Sequence, residues 1–327
     1  APTFFAAAFE RIGCRVVRVG PTYFDHYGLV WPFENLPTVD LELRRELPLW
    51  DLPSFTDWCT RVHGTPDILI ASEENYQTDI INEKRIPSVL WIADGWPDNY
   101  ARVDLWQPTL AFCNQPRGNS IHPQAETPKP WRFLPGAAAP WIHKRRNLER
   151  PEDFCLFATM YGKRPELCMR LAERGLNVIF GQRALREYVM GYNISLATYH
   201  NPGWWECKWR FFEAAAMGCI NLTEECPLFH QMGYDSWEHY VPVATEFAPE
   251  FGDSWPTVDT LIKKIVWLRN NKDRAQEIAD NAWRVTLRHH TYYHRISQIF
   301  SDLGLDDLAE RTEEAAGTCL KENGNAS

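Results

Sequence analysis

Twice along this chain, apolar runs of strand length recur at intervals that can hold a helix, and this alternation limits the fold more than any other feature. In the first half the runs are Asp67 to Ala71 (DILIA), Ser88 to Ala93 (SVLWIA), Leu110 to Asn114 and Trp131 to Leu134. In the second they are Phe154 to Ala158, Asn177 to Phe180, Ile194 to Ala197 and Cys219 to Leu222. Apolar strands spaced by helices belong in a parallel sheet covered on both faces. Between Pro135 and Arg150 the text turns to small residues and then to bases (GAAAPWIHKRRNLER), and the second series opens at Asp153. We therefore expect an α/β chain with one domain over residues 1–148, a second over 149–305 and an acidic disordered tail over 306–327. A length of 327 residues suits two cores better than one.

Thr3 to Ile12 reads as a helix stopped by Gly13, with Arg15 to Val19 as a strand behind it. That is the second half of a strand-helix-strand unit, so the chain begins late or its first sheet lacks a strand. Tyr23 to Pro53 has no clear period and reads as loops, while Asp79 to Lys84 reads as a helix. Ligands of open parallel sheets sit beyond the carboxyl ends of the strands. Ser72, Glu73, Glu74 and Asp94 hold that position in the first half.

Charge and cysteine content narrow the function. The net charge is −9, and the last 27 residues, with seven acids and two bases, supply −5 of it. This balance weighs against gripping duplex nucleic acid by its phosphates. The nine cysteines are scattered without a CxxC pair, which suggests neither a disulfide framework nor a zinc site. With no run of eighteen apolar residues and no signal-peptide layout, we expect a cytoplasmic protein without a membrane span. Lys144, Arg145 and Arg146 read as a solvated linker face.

The second half also carries the most informative stretch, Trp204 to Thr223 (WWECKWRFFEAAAMGCINLT). Cys207 to Met217 reads as a helix closed by Gly218 and followed by a short strand. Glu206, Arg210 and Glu213 share one helical face. Glu213 is hemmed in by Phe211, Phe212, three alanines and Met217, where an unsatisfied carboxylate costs several kcal/mol. Two readings stand: hydroxyl groups of a ligand satisfy it, or Arg210 pairs with it. Upstream, the strand Phe154 to Ala158 leads through TMYGKR into a helix from Pro165. Gly162, Lys163 and Arg164 can meet an anion there with backbone amides and charge, or can form a tight turn with exposed bases. Gly181 ends the next strand, and His200 lies in the loop before the central helix. Val258 to Asn270, Asp273 to His289 and Tyr292 to Leu303 read as three closing helices.

The order FCLFATMYGKRPEL, LAERGLNVIFG, KWRFFEAAAMGCINLT and WLRNNKDRAQEIADNAWRVTLRHHTYYHR resembles the C-terminal domain of the spore-maturation-protein-like glycosyltransferases. IPSVLWIADGWPD and WRFLPGAAAPWIH extend the likeness weakly into the first half. The resemblance implies the GT-B fold, two Rossmann-like domains facing a central cleft, with an N-terminal acceptor domain and a C-terminal donor domain. It implies transfer of a sugar from a nucleoside-diphosphate sugar to a hydroxyl acceptor, whether glycan, small molecule or modified DNA base, with no cofactor and no metal. Glu213 then holds the donor's ribose. Arg210, Lys208, Gly162, Lys163, Arg164 and Gly181 line the nucleotide site. Asp94, Glu73 and His200 are the catalytic candidates, a carboxylate being the base that an inverting reaction needs. Aromatic faces such as Trp91, Trp96, Trp204 and Trp205 suit sugars and bases alike.

Two departures from the wider retaining class matter. Glu206 and Glu213 have six residues between them where that class commonly has seven, so Glu206 is not carried over. The His-Asp pair of the N-domain is reduced to Asp94. Two other functions remain open: sugar transfer to hydroxymethylated bases in phage-type DNA, and a non-catalytic nucleotide- or sugar-binding protein that kept the fold.

Overall fold

The computed structural model describes residues 2–16, 64–72, 86–92, 108–114, 131–160, 162–201, 207–248 and 253–324. It divides into two units, Ala1–Pro135 with Arg295–Thr312, and Gly136–His294 with Glu313–Ser327. The division falls upstream of the expected boundary at 148, because the small residues after Pro135 pack within the second unit.

In the first unit α1 (Pro2–Arg11) precedes a parallel sheet of β1 (Leu69–Ser72), β2 (Ser88–Ile92), β3 (Leu110–Cys113) and β4 (Trp131–Phe133), in that order across the sheet. These are the four strands read from the first-half pattern. Phe4, Phe5, Ala8 and Phe9 turn the buried face of α1 inward, and the ring of Phe5 meets Trp91 edge-on at 5.2 Å. Arg15 and Val16 are not in a strand, and the remainder of the expected strand to Val19 lies outside the described residues.

The second unit holds β5 (Glu152–Leu156), β6 (Val178–Phe180), β7 (Ser195–His200), β8 (Ile220–Thr223) and β9 (Val241–Pro242) in a parallel sheet of order β6-β5-β7-β8-β9. Its crossover helices are α2 (Arg164–Glu173), α3 (Leu185–Ile194), α4 (Trp209–Ala216) and α5 (Pro227–Gln231). The chain runs outward from β5 to β6 and then returns past β5 to β7. A doubly wound sheet reverses its winding at such a place, and a crevice opens there beyond the carboxyl ends of the strands. An antiparallel hairpin, β10 (Thr245–Ala248) with β11 (Asp253–Pro256), follows β9. Asn201 Nδ2 donates to the Ser254 carbonyl at 3.1 Å, which ties the hairpin to the carboxyl end of β7.

Two helices close the core, α6 (Val258–Asn270) and α7 (Lys272–His289), and α8 (Tyr292–Asp302), which follows them, belongs to the first unit from Arg295 onward. Thr257 caps α6 by accepting from the Thr260 amide at 3.1 Å. The apolar faces of α6 and α7, with Leu261, Ile265, Leu268, Ala275 and Ile278, cover Phe154, Leu156, Ala197 and Leu222 of the sheet. The acidic segment after Asp306 is not a disordered tail. It forms α9 (Asp306–Gly324), with Asp306 and Asp307 in its first turn and Thr312 and Ala316 buried one turn apart. Its charge masked a helical period.

Candidate functional site

Helix α4 is the element that places the site, and its sequence explains why it is buried almost all round. Phe211, Phe212, Ala214, Ala215 and Ala216 are inaccessible to solvent, and Phe211 stacks on Phe229 at 4.6 Å and meets Tyr234 edge-on at 5.0 Å. The helix ends in a Schellman motif: Gly218 N donates to Ala215 O at 3.0 Å and Cys219 N to Ala214 O at 2.9 Å. Gly218 takes φ +70, which favours glycine. At the other end Gly136 lies against the backbone of Trp209; a Cβ built on Gly136 would sit 2.6 Å from the Trp209 nitrogen. The small residues after Pro135 are thus the seat of the N-terminal end of α4.

Arg150 fixes the far end. Its guanidinium donates to the carbonyls of Tyr192 at 3.0 Å, Ser195 at 2.5 Å and Met217 at 2.8 Å, joining the C-terminal ends of α3 and α4. Arg145 is ion-paired with Asp280 at 2.5 Å, and Asn193 holds the backbone of Lys144 and Arg146. The expected solvated linker face is therefore in part a docked strap.

Glu213 is 4% exposed. Tyr188, from α3, donates its hydroxyl to Oε2, and His143 Nε2 stands 3.7 Å from Oε1. Burial drives the Glu213 pKa up to about 7, against the hydrogen bond from Tyr188 and the charge of Arg210, which lower it. Burial likewise takes His143 down to about 3. The ring is neutral at ordinary pH, and its Nδ1 accepts from the Ala139 amide at 3.0 Å, so the proton sits on Nε2, toward the carboxyl group. The distance is that of an ion pair, but a neutral imidazole makes it a polar contact. Tyr188 packs between Tyr192, at 4.8 Å, and Phe157, at 5.5 Å, which holds its hydroxyl in place.

Arg210 does not pair with Glu213. Its Nη1 donates to the Phe157 carbonyl at 3.2 Å, at the carboxyl end of β5, so the guanidinium lies at the switch point. Gly162 has φ +59 and Lys163 is the N-cap of α2, so the turn opens directly into a helix start where backbone N–H groups point outward. Arg164 donates to the Thr159 carbonyl at 2.9 Å and lies 5.9 Å from the Trp255 ring. Gln182 reaches the Thr159 hydroxyl at 3.3 Å. Lys208 is the N-cap residue of α4. Gly181, with φ +106, turns the chain after β6 and donates to the Leu156 carbonyl at 3.1 Å. His200, at the end of β7, is a core residue, 2% exposed with its ring 5.5 Å from Phe211.

The structure therefore gathers Gly162, Lys163, Arg164, Gly181, Lys208 and Arg210 along the carboxyl edge of one sheet, with Glu213 behind them. Asp94, Glu73, Glu74, Glu206, Trp96, Trp204 and Trp205 lie outside the described residues, although β1 ends at Ser72, one residue before Glu73, and β2 at Ile92, two before Asp94. Tyr188, His143 and Arg150 were not found from sequence. Nothing in local spacing links them to α4, because each reaches it from another element.

Residues 159–301, less than half of the chain, match the family model described as glycosyl transferase-like. No curated protein matches the chain in sequence. Among solved structures it is similar to HepE of Anabaena in complex with UDP and glucose, at 11% identity and TM-score 0.57, covering 81% of this chain and 88% of that one. It is also similar to sucrose-phosphate synthase of Thermosynechococcus elongatus, at 11% identity and TM-score 0.51, over 77% and 78% of the two chains. A third similar structure is an alpha-glucosyltransferase in complex with UDP and a 13-mer DNA, at 10% identity and TM-score 0.51, over 77% and 84%. The architecture is GT-B, and residues 159–301 form a glycosyl transferase-like enzyme domain within it.

Proposed function

We propose that this glycosyltransferase takes its sugar from a nucleoside-diphosphate donor held at the β5/β7 switch point, and passes it to a hydroxyl acceptor without a metal ion. The observation that carries the reading is Glu213, an ionisable carboxyl group held in the core by Tyr188 and His143, three residues along α4 from Arg210 at the carboxyl end of the sheet. Such a group costs stability and is retained where function needs it. Its role is to accept hydrogen bonds from the ribose hydroxyls. Lys163, Arg210, Lys208 and the N-terminal amides of α2 face the diphosphate and stabilise the charge that grows on it as the glycosidic bond to the sugar breaks. Arg164, tied to Thr159, shapes the turn. Asp94 or Glu73, each of which follows a first-unit strand in sequence, takes the acceptor's proton.

UDP in two of the similar structures makes it the first nucleotide to try. Thermal unfolding of the chain is followed with UDP, GDP, ADP, TDP and CDP and their sugars, with and without EDTA. At a hundred times the dissociation constant the matching nucleotide adds about 2.7 kcal/mol. A panel without any response sinks the reading, and a response abolished by EDTA removes its metal-independent part. Release of sugar from the matching donor separates a transferase from a binding protein.

A further inference from the structure

On another part of the second unit, a cavity of about 180 Å³ opens between α7 and the loop that precedes β9. It is lined by Glu238 and His239 from the loop and by Asn281, Arg284, Val285, Arg288 and His289 from α7. It contains none of the residues assigned to the donor. It is also smaller than the roughly 300–1,000 Å³ of pockets that enclose a drug-sized molecule.

Its chemistry is almost all donor. Arg284 and Arg288 stand one helical turn apart, and neither forms an ion pair or hydrogen bond among the described residues. That is unusual company in a chain of net charge −9. The Nδ1 of His239 accepts from the Asp235 amide at 2.9 Å. Burial holds this ring's pKa below its usual value, opposed by Asp235 and Glu238 and assisted by Arg284, so the neutral ring keeps its proton on Nε2 as a further donor. Burial and the charge of Arg288 likewise lower His289, against Glu313. Asn281 adds an amide. Glu238, the one acid in the lining, is engaged by Arg274 at 3.5 Å. Arg288 could be explained as a cation in the last turn of α7 that complements the helix dipole. Arg284 and Asn281 lie upstream of that turn and are not explained by it.

We propose that this cavity binds a small phosphate-bearing anion, gripped by the forked guanidinium groups of Arg284 and Arg288, with Asn281 and His239 donating to its remaining oxygens. Two guanidinium groups match a phosphate dianion in charge, and their planar forks match its oxygens in geometry. The site is separate from the donor site and does not rest on the transferase reading.

The test uses the full chain and inorganic phosphate, with sodium chloride at matched ionic strength as reference. Binding is read by titration calorimetry and by the NMR signals of the His239 ring, whose titration midpoint rises when an anion sits beside it. We expect saturable binding that weakens at least tenfold in the Arg284→Gln, Arg288→Gln double variant and is unchanged in Lys163→Ala. Both arginines are exposed, so circular dichroism of the double variant should match the parent. Phosphate binding of equal strength in parent and double variant overturns the assignment. So does the absence of saturable binding, or a loss confined to Lys163→Ala. A DNA oligonucleotide that binds through Arg284 and Arg288 where phosphate does not would overturn it as well. UDP binding, read in the same double variant, stays at the parent value in every case and so judges the donor site separately.

Discussion

Replacing Glu213 by glutamine should make the protein more stable at pH 8 and yet worse at binding its donor. The folded-state pKa of Glu213 is raised from 4.5 to about 7, chiefly by burial. Between those values the unfolded chain has released the proton and the folded chain still holds it. Stability contributed by this group therefore falls as pH rises through 4.5 to about 7, and is level above that. The displacement corresponds to about 3 kcal/mol, and the group is buried enough that solvent does not screen it away. The groups facing it are His143 from the loop after Pro140, Tyr188 and Tyr192 from α3, and Arg210 from α4. His143 carries the opposite slope, losing stability as pH falls from 6.5 to about 3, so the parent's own profile is partly flattened. The difference between Glu213→Gln and the parent isolates the carboxyl group. Glutamine keeps the shape and can still accept from Tyr188. The difference should be near zero at pH 4.5 and grow to about 3 kcal/mol at pH 8, or about 6–12 °C in the unfolding midpoint for a domain of this size. Calorimetric melts at the two pH values measure it, and nucleotide titration at pH 8 measures the loss of donor affinity. A difference that is the same at both pH values, or a variant less stable than the parent at pH 8, would refute the reasoning.

Three other outcomes follow from the same geometry. Tyr188→Phe removes the hydroxyl that donates to Glu213, so it should cost about 1.5–3 kcal/mol at pH 8, less at pH 4.5, and push the Glu213 midpoint higher still; denaturant melts at both pH values decide it. Arg150→Ala strips hydrogen bonds from the carbonyls of Tyr192, Ser195 and Met217 and should cost about 3–5 kcal/mol in urea unfolding. Gly136→Ala drives a methyl group against the Trp209 backbone, so it should cost about 1–3 kcal/mol and weaken nucleotide binding by shifting the start of α4, whereas Ala137→Gly should leave that contact alone.

The parallel sheets were legible because strands of a helix-covered parallel sheet are apolar along most of their length, even at edges such as β1 and β6 where they are only partly buried, and β1 to β8 all lie within a few residues of the runs that announced them. Helix α4 was legible for the same reason, with Gly218 marking its end. The environment of Glu213 was half legible. Its burial follows from its neighbours in sequence, but its partners come from α3 and from the loop carrying His143, and pattern along the chain carries no information about which side chain arrives from elsewhere. Arg210 illustrates the limit: its spacing suggested a pair with Glu213, and tertiary structure offered it the Phe157 carbonyl instead. Helix α9 was missed because seven acids among the last 27 residues outweighed a weak apolar period. β9 and the β10–β11 hairpin were missed because none of them is an apolar run: β9 has two residues, and Thr245–Ala248 (TEFA) and Asp253–Pro256 (DSWP) mix acids with apolar residues.

The units are not contiguous in the chain. The backbone passes from one to the other after Pro135, after His294 and after Thr312, and the last two passages fall inside α8 and α9. No single cut therefore releases either unit whole. A gene fragment trimmed to residues 159–301, the span that the family model matches, would discard Gly136, Ala139, His143 and Arg150, which seat α4 and face Glu213. It would also sever α9 from the unit to which Glu313 and the residues after it belong. For anyone dissecting the protein, the second unit is better obtained by joining 136–294 to 313–324 through a linker than by truncation at either end.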